Sequence, residues 1–522
     1  MRPLLLAIAG LLALAPFARA DEAPRCTYVE VTRLPMRYVG EGLAPAVDGT
    51  IDGAAATMLV DTGAFDTQLT MNGANRRGLN LHMTGRYVEG FGGSSRLYTA
   101  RLKDFTVGPA RSARRIELYV IGTANITPVF DAIVGAPFLL QMDLEIDLRA
   151  KQMRFFRPHD CDKATLALWD EDTIAIPFER SSDRSPNPHF TVTVNGKELD
   201  AVIDTGAHHS TILRGAAKRA GIDVDGPGAR RLGSVVGIGA ERAPLWSTRV
   251  KTVTIGNETI EDAELGIVDA QGSTSAEMYL GQDFLRAHRV LFAMSQKKLY
   301  IAYLGGQPFT RSDKLEPWMR AEADAGNPDA QFTLANMYGG GRGVERDPVQ
   351  ARAWMAKAAA NGQPHANLLL ARREMLAGHP GEAIPRLRAA LDQLPADRIG
   401  PLWLYIARVR NGEAALAQSG LQATLKRQDD DGWPAPIAEF YLGKRDAAAL
   451  LGSAAREPAF ARGRTCDADT FMAEWHAARG EKRQADALLS ARRALCGAPP
   501  AAPAAPGAAP AAAPADGGTP AS

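Results

Sequence analysis

Two tetrapeptides stand out for the chemistry they could do: Asp61-Thr62-Gly63-Ala64 and Asp204-Thr205-Gly206-Ala207. Two aspartates held within hydrogen-bond reach cannot both ionise cheaply, so such a pair shares one proton. The charged member can take a proton from a bound water, which then attacks an amide carbonyl. The protonated member donates to the developing oxyanion, and the roles reverse to expel the amine. That chemistry needs no metal and no organic cofactor.

The surroundings of each tetrapeptide are what must position its carboxylate. Three apolar residues precede each aspartate, in Met58-Leu-Val60 and Ala201-Val-Ile203, so each lies at the end of a buried strand. The glycine permits a tight reversal that leaves the carboxylate at a loop tip. A second motif follows in each half: Ala132-Ile-Val-Gly-Ala-Pro-Phe-Leu139 aligns with Met278-Tyr-Leu-Gly-Gln-Asp-Phe-Leu285. The first aspartate and Gly135 are 74 residues apart (61 to 135), the second aspartate and Gly281 are 77 apart (204 to 281). Two motifs in the same order at matched spacing point to duplication of one β lobe.

The halves read as short strands. Phe190 to Val194 alternates, Asn195-Gly196 supplies a hairpin turn, and Leu199 to Ile203 resumes. Thr252 to Ile255 with Gly256-Asn257, and Phe105 to Val107 with Gly108-Pro109, repeat the device.

Together these segments resemble the retropepsin-like aspartic peptidases of the acid-protease fold, over roughly residues 30–303. The resemblance implies a mainly-β fold of two tandem lobes, with Asp61 and Asp204 as the paired catalytic aspartates of an endopeptidase. Thr62 and Thr205 would hydrogen-bond across the lobes behind the dyad, within loops shaped by Gly63 and Gly206. Gly135 and Gly281 would belong to the supporting segments. Gly90-Phe91-Gly92 and Gly237-Ile238-Gly239 lie where the family places its flaps, although neither Tyr87 nor any residue near Gly237 matches a pepsin-type flap tyrosine. Family members often pair single lobes from two chains, whereas this chain would carry both. A hydroxyl after the glycine could stabilise the charged aspartate; Ala64 and Ala207 lack it, which predicts a less acidic working range.

From about Leu315 the texture becomes helical. The series Ala321-Glu-Ala-Asp-Ala-Gly326, Ala330-Gln331, Leu334-Ala335, Tyr338, Gly341-Arg-Gly-Val344, Asp347, Ala351, Trp354, Lys357-Ala-Ala359 and Gly362 resembles a Sel1-like repeat, a relative of the tetratricopeptide repeat. Helices over Ala383 to Leu394 and Asp467 to Ala494 resemble tetratricopeptide repeats more loosely. Such repeats imply a protein partner.

The expected organisation is a signal peptide at 1–20, lobes at 27–160 and 170–305, a helical repeat domain (an α-solenoid) at 315–496, and a disordered Ala/Pro-rich tail at 497–522. The apolar run Leu4 to Pro16 is too short to span a bilayer, and Ala18-Arg-Ala20 supplies a small-x-small cleavage pattern. Export to the periplasm is the expectation, with secretion as its alternative and no transmembrane segment in the mature chain. Cys26, Cys161, Cys466 and Cys496 then read as disulfides, with free buried thiols as the alternative. Three pairings are open; Cys26–Cys161 and Cys466–Cys496 each bracket one folded unit. A net charge of +1 and no basic run argue against nucleic acid.

Other polar residues read as structural. His208 and His209 are adjacent on a short turn, a poor metal arrangement, and read as surface or packing groups. Asp66 reads as solvated or helix-capping, and Asp143, Glu145 and Asp147 as the polar face of a strand. Trp318, Trp354 and Trp403 read as helix-packing residues. The alternative to an endopeptidase is a retropepsin-like module on an envelope scaffold that captures peptides without cutting them.

Overall fold

The computed structural model describes residues 26–497, apart from 113–114, 123–128, 168, 170–171, 183–184, 236, 240, 271–273, 310–313, 395–396 and 429–431. The segment expected to be a signal peptide and nearly all of the expected tail lie outside these residues.

In the first lobe, the apolar strand Ala54–Asp61 runs parallel to Ala132–Gly135, with Gly135 opposite Asp61. In the second, Lys197–Ile203 runs parallel to Met278–Leu280, with Leu280 opposite Ile203. The parallel pairing is confined to the ends of these strands, Met58–Val60 and Ala201–Ile203, which are buried and apolar without alternation. The hairpins expected at Asn195-Gly196, Gly256-Asn257 and Gly108-Pro109 all form, between Ser185–Val194 and Lys197–Ile203, Ala243–Ile255 and Glu258–Val268, and Phe105–Val107 and Ala110–Arg111.

The lobes are not sealed units, because both give strands to a six-stranded sheet beneath them. Its order is Thr27–Pro35, Gln152–His159, Asp143–Asp147, His288–Ala293, Lys298–Tyr303, Ile174–Pro177. The halves meet where Leu144, Glu145 and Ile146 pair with Phe292, Leu291 and Val290. Leu144, Ile146, Val290 and Phe292 are fully buried, each contributing roughly 1.5–3 kcal/mol. Asp143, Glu145 and Asp147 are not a polar face, as their alternation implies; all three are buried. A central strand has no solvent face, and each carboxylate is paired instead. Asp147 takes two bonds from Arg289, Glu145 binds Arg154 and Trp169, and Asp143 binds Ser295 and Tyr28.

Behind the lobes, the described residues hold eleven helices from Pro317–Asp324 to Lys482–Cys496. Proline opens many of them, where its missing N–H costs nothing. Asn327 and Asp347 cap the first long pair, and Gly341 ends Pro328–Gly340 in the left-handed conformation. Trp354 and Trp403 are buried in helix packing, whereas Trp318 packs against Tyr38 of the first lobe. Disulfides join Cys26 to Cys161 and Cys466 to Cys496, with Cα atoms 4.5 and 6.2 Å apart. Among the described residues no helix is long and apolar enough to cross a membrane.

Candidate active site

Asp61 and Asp204 face one another where the lobes meet, each on its strand-to-loop turn. The two carboxyls are close enough to shift one another's ionisation. Gly63 N–H donates to Asp61 at 2.9 Å and Gly206 N–H to Asp204 at 2.9 Å. The glycines are needed for space as well as for the turn. A Cβ on Gly63 would sit 2.5 Å from the Asp204 carboxyl carbon, and one on Gly206 would sit 2.6 Å from that of Asp61.

Behind the aspartates, the threonines lock the lobes reciprocally. Thr62 N–H donates to Thr205 Oγ1 at 3.0 Å, and Thr205 N–H to Thr62 Oγ1 at 3.1 Å. Thr62 Oγ1–H donates to Ile203 O at 2.7 Å, and Thr205 Oγ1–H to Val60 O at 2.8 Å. Both side chains are fully buried, so every one of these groups finds its partner across the boundary.

Gly135 and Gly281 support the loops from the side. A Cβ at Gly135 would overlap the Asp66 carbonyl, and one at Gly281 would press on the Ala207 carbonyl at 2.7 Å. Their N–H groups donate to Thr67 Oγ1 (3.1 Å) and Ser210 Oγ (2.9 Å). These two hydroxyls escaped the sequence reading, although each stands six residues after its aspartate. Asp283 escaped it too: buried, it accepts from Ser210 N–H and Oγ–H and from Phe284 N–H.

Burial raises the pKa of both aspartates, and the charge of Asp204 raises that of Asp61 further, well above the ordinary carboxylate range. Both side chains nonetheless keep contact with the cleft solvent. The pair titrates as one unit and holds a shared proton where isolated aspartates are bare.

The dyad forms the floor of a cleft of about 470 Å³. Its roof is made by the two glycine-rich tips. Gly90 and Gly93 end the hairpin strands Leu81–Gly90 and Gly93–Leu102, with Phe91-Gly92 at the turn. Gly237-Ile238-Gly239 lies between Arg230–Val235 and Ala243–Ile255. The tips meet: Gly92 N–H donates to Ile238 O and Glu241 N–H to Gly92 O, both at 3.0 Å. Each tip rests on the other lobe. Phe91 stacks edge-on against Tyr279 at 5.2 Å, and Ile238 packs on the cluster of Leu59, Phe130 and Ile133.

His208 lines this cleft and His209 beside it, and neither joins a metal-ligand cluster among the described residues. The His208 ring stays open to cleft solvent but is otherwise packed among protein groups. That crowding, then the charges of His209 and Arg286, lowers its pKa to about 4, so the imidazole is neutral. Asp66 caps no helix; it is half-buried and accepts from Thr67 N–H at 2.7 Å, while Thr70 caps the helix Met71–Arg76. Gln68, fully buried on the cleft wall, has neither amide atom paired among the described residues.

Family profiles match both segments that carry the aspartates. A gag-polyprotein aspartyl protease profile matches residues 47–141, an aspartyl protease profile matches 190–284, and a Sel1 repeat profile matches 328–363. An aspartic proteinase from Irpex lacteus is among the similar solved structures, 14% identical over 52% of this chain and 97% of that one, with a TM-score of 0.33. No curated protein matches the chain. Residues 47–141 and 190–284 are thus two aspartyl-protease-type segments in one polypeptide, each supplying one Asp-Thr-Gly-Ala loop, and a Sel1 repeat follows them.

Proposed function

We propose that the protein is an exported aspartic endopeptidase in which Asp61 and Asp204 of one chain form the catalytic dyad. The observation that carries this reading is the pair of facing carboxyls on the floor of a roofed cleft, each packed against the other loop's glycine and held by reciprocal threonine bonds. A peptide laid between the dyad and the touching tips would present its carbonyl to a water held by the carboxyls. The charged aspartate takes a proton from that water as its oxygen bonds to the carbonyl carbon. The protonated aspartate donates to the carbonyl oxygen. The newly protonated aspartate then gives its proton to the amide nitrogen while the other takes one from a hydroxyl of the diol. The C–N bond breaks, a carboxylic acid forms and the pair again holds one proton.

Export to the periplasm is supported by the N-terminal apolar run and by the two disulfides, which persist in an oxidising compartment. The helical repeats are read as a protein-binding element, because stacked helix pairs offer extended surfaces.

Mature protein incubated with a mixed peptide library across acidic to neutral pH, with fragments read by mass spectrometry, tests the activity. Discrete internal cleavages support it. Retained peptide binding without cleavage at any pH would replace it with a peptide-capturing module.

A further inference from the structure

The two aspartate loops are duplicates, yet the second is held from behind by two side chains that have no counterpart at the aligned positions of the first. Gln282 Nε2 donates to Thr205 O at 3.0 Å, directly behind the dyad. Its Oε1 accepts from Arg286 Nη2 at 3.4 Å, one helical turn on. The aligned positions of the first lobe are Ala136 and Leu140, which can make neither bond.

Arg286 reaches away from the loop as well. It donates to Leu43 O at 3.2 Å, and its guanidinium lies over the rings of Tyr38 (4.2 Å) and Trp318 (3.3 Å). Tyr38 and Leu43 bound a tight turn of the first lobe, and Gly42 within it lies so close to the His208 ring that a Cβ would overlap it.

That turn is gripped from behind by the helical domain. Asp329 accepts from Gly40 N–H at 2.8 Å, Asn327 Nδ2 donates to Tyr38 O at 3.0 Å, and Thr333 Oγ1 donates to Glu41 O at 3.0 Å. Leu43 is fully buried with Ala330, Leu334 and Trp354, inside the Sel1 match. Lys151 pairs with Glu322 at the same junction.

We infer that the first helical repeat is a positioning element of the candidate active site, holding the Asp204 loop through the Tyr38–Leu43 turn, Arg286 and Gln282. The partner of this face of the repeat is the chain's own lobe pair, not a foreign protein. The inference rests on the dyad reading only for its effect on turnover; the mechanical link stands on the contacts.

The test uses the full-length Asp329→Ala/Thr333→Val variant, with hydrogen exchange read by mass spectrometry beside peptide turnover. Faster exchange is expected at both 38–43 and 204–209, with kcat down about tenfold and KM changed by less than about twofold. Asp329→Asn, which keeps an acceptor for Gly40 N–H, should return both readouts to near the wild-type values. Arg445→Ala, which loses pairing with Glu439 in the distal helices, controls for general destabilisation and should leave kcat unchanged. Faster exchange at 38–43 with 204–209 and kcat unmoved would overturn the link, as would no change at 38–43. A wild-type chain that cleaves nothing would end the catalytic reading while the exchange data still decide this one.

Discussion

Thr62 and Thr205 hold one another across the lobe boundary, each amide donating to the other's hydroxyl at 3.0 and 3.1 Å. Each hydroxyl passes its own hydrogen onward to a strand carbonyl of the opposite lobe, Ile203 for Thr62 and Val60 for Thr205. The aspartates precede these threonines directly, so the distance between the carboxyls is set by this lock.

Removing the Thr62 hydroxyl strands the buried Thr205 N–H, while Ile203 O keeps the Asn187 amide at 3.4 Å. Thr62→Ala should therefore cost about 1–3 kcal/mol and lower kcat at least tenfold. Thr62→Ser, which keeps the oxygen, should lose far less of both. Urea unfolding and steady-state kinetics on the three proteins check this.

The dyad should make stability depend on pH in a definite direction. Both carboxyls have raised pKa values, so the native state binds more protons than the unfolded chain above the ordinary aspartate range. Native stability therefore falls as pH rises through that window and levels off above it. Asp61→Asn and Asp204→Asn escape this loss. Each should melt above the wild type at about pH 7 and show no such advantage at about pH 3. Calorimetry at the two pH values reads the difference. Turnover should also peak well above about pH 2, since neither Ala64 nor Ala207 offers a hydroxyl to the charged aspartate.

The roof should govern substrate affinity more than stability. A Cβ on Gly92 would press on Glu241 O at 2.5 Å and Ile238 O at 3.0 Å, separating the tips. Gly92→Val should raise KM about tenfold, a loss of about 1.4 kcal/mol, with little change in melting temperature.

In the shared sheet, Asp147→Ala would strand Arg289 and release Ala150 N–H. Breaking a fully buried ion pair costs about 3–5 kcal/mol. Arg289 keeps 26% of its side chain in solvent, so about 2–3 kcal/mol is expected by urea unfolding.

Much of the site was legible because duplication writes it twice. The aspartates, threonines and supporting glycines recur at matched offsets, and the turn glycines Gly92 and Gly239 announce the roof. Thr67 and Ser210 obeyed the same rule but differ in residue type, which hid their common role. The acids Asp143, Glu145 and Asp147 misled because alternation implies a wet face, and only the interlobe sheet brings Arg289 and Ser295 to them. The junction at Arg286 was invisible for a related reason. Its partners Leu43 and Trp318 lie 243 residues before it and 32 after it (286 less 43, and 318 less 286), with no local pattern to mark them.

A catalytic dyad within one molecule requires that one chain supply both acids. Peptide cleavage should be measured for the wild type, for Asp61→Asn, for Asp204→Asn, and for the two variants mixed. Cleavage lost in each single variant and not restored by mixing is the predicted result. Substantial activity in either single variant, or recovery on mixing, would contradict a dyad formed by Asp61 and Asp204 of the same chain.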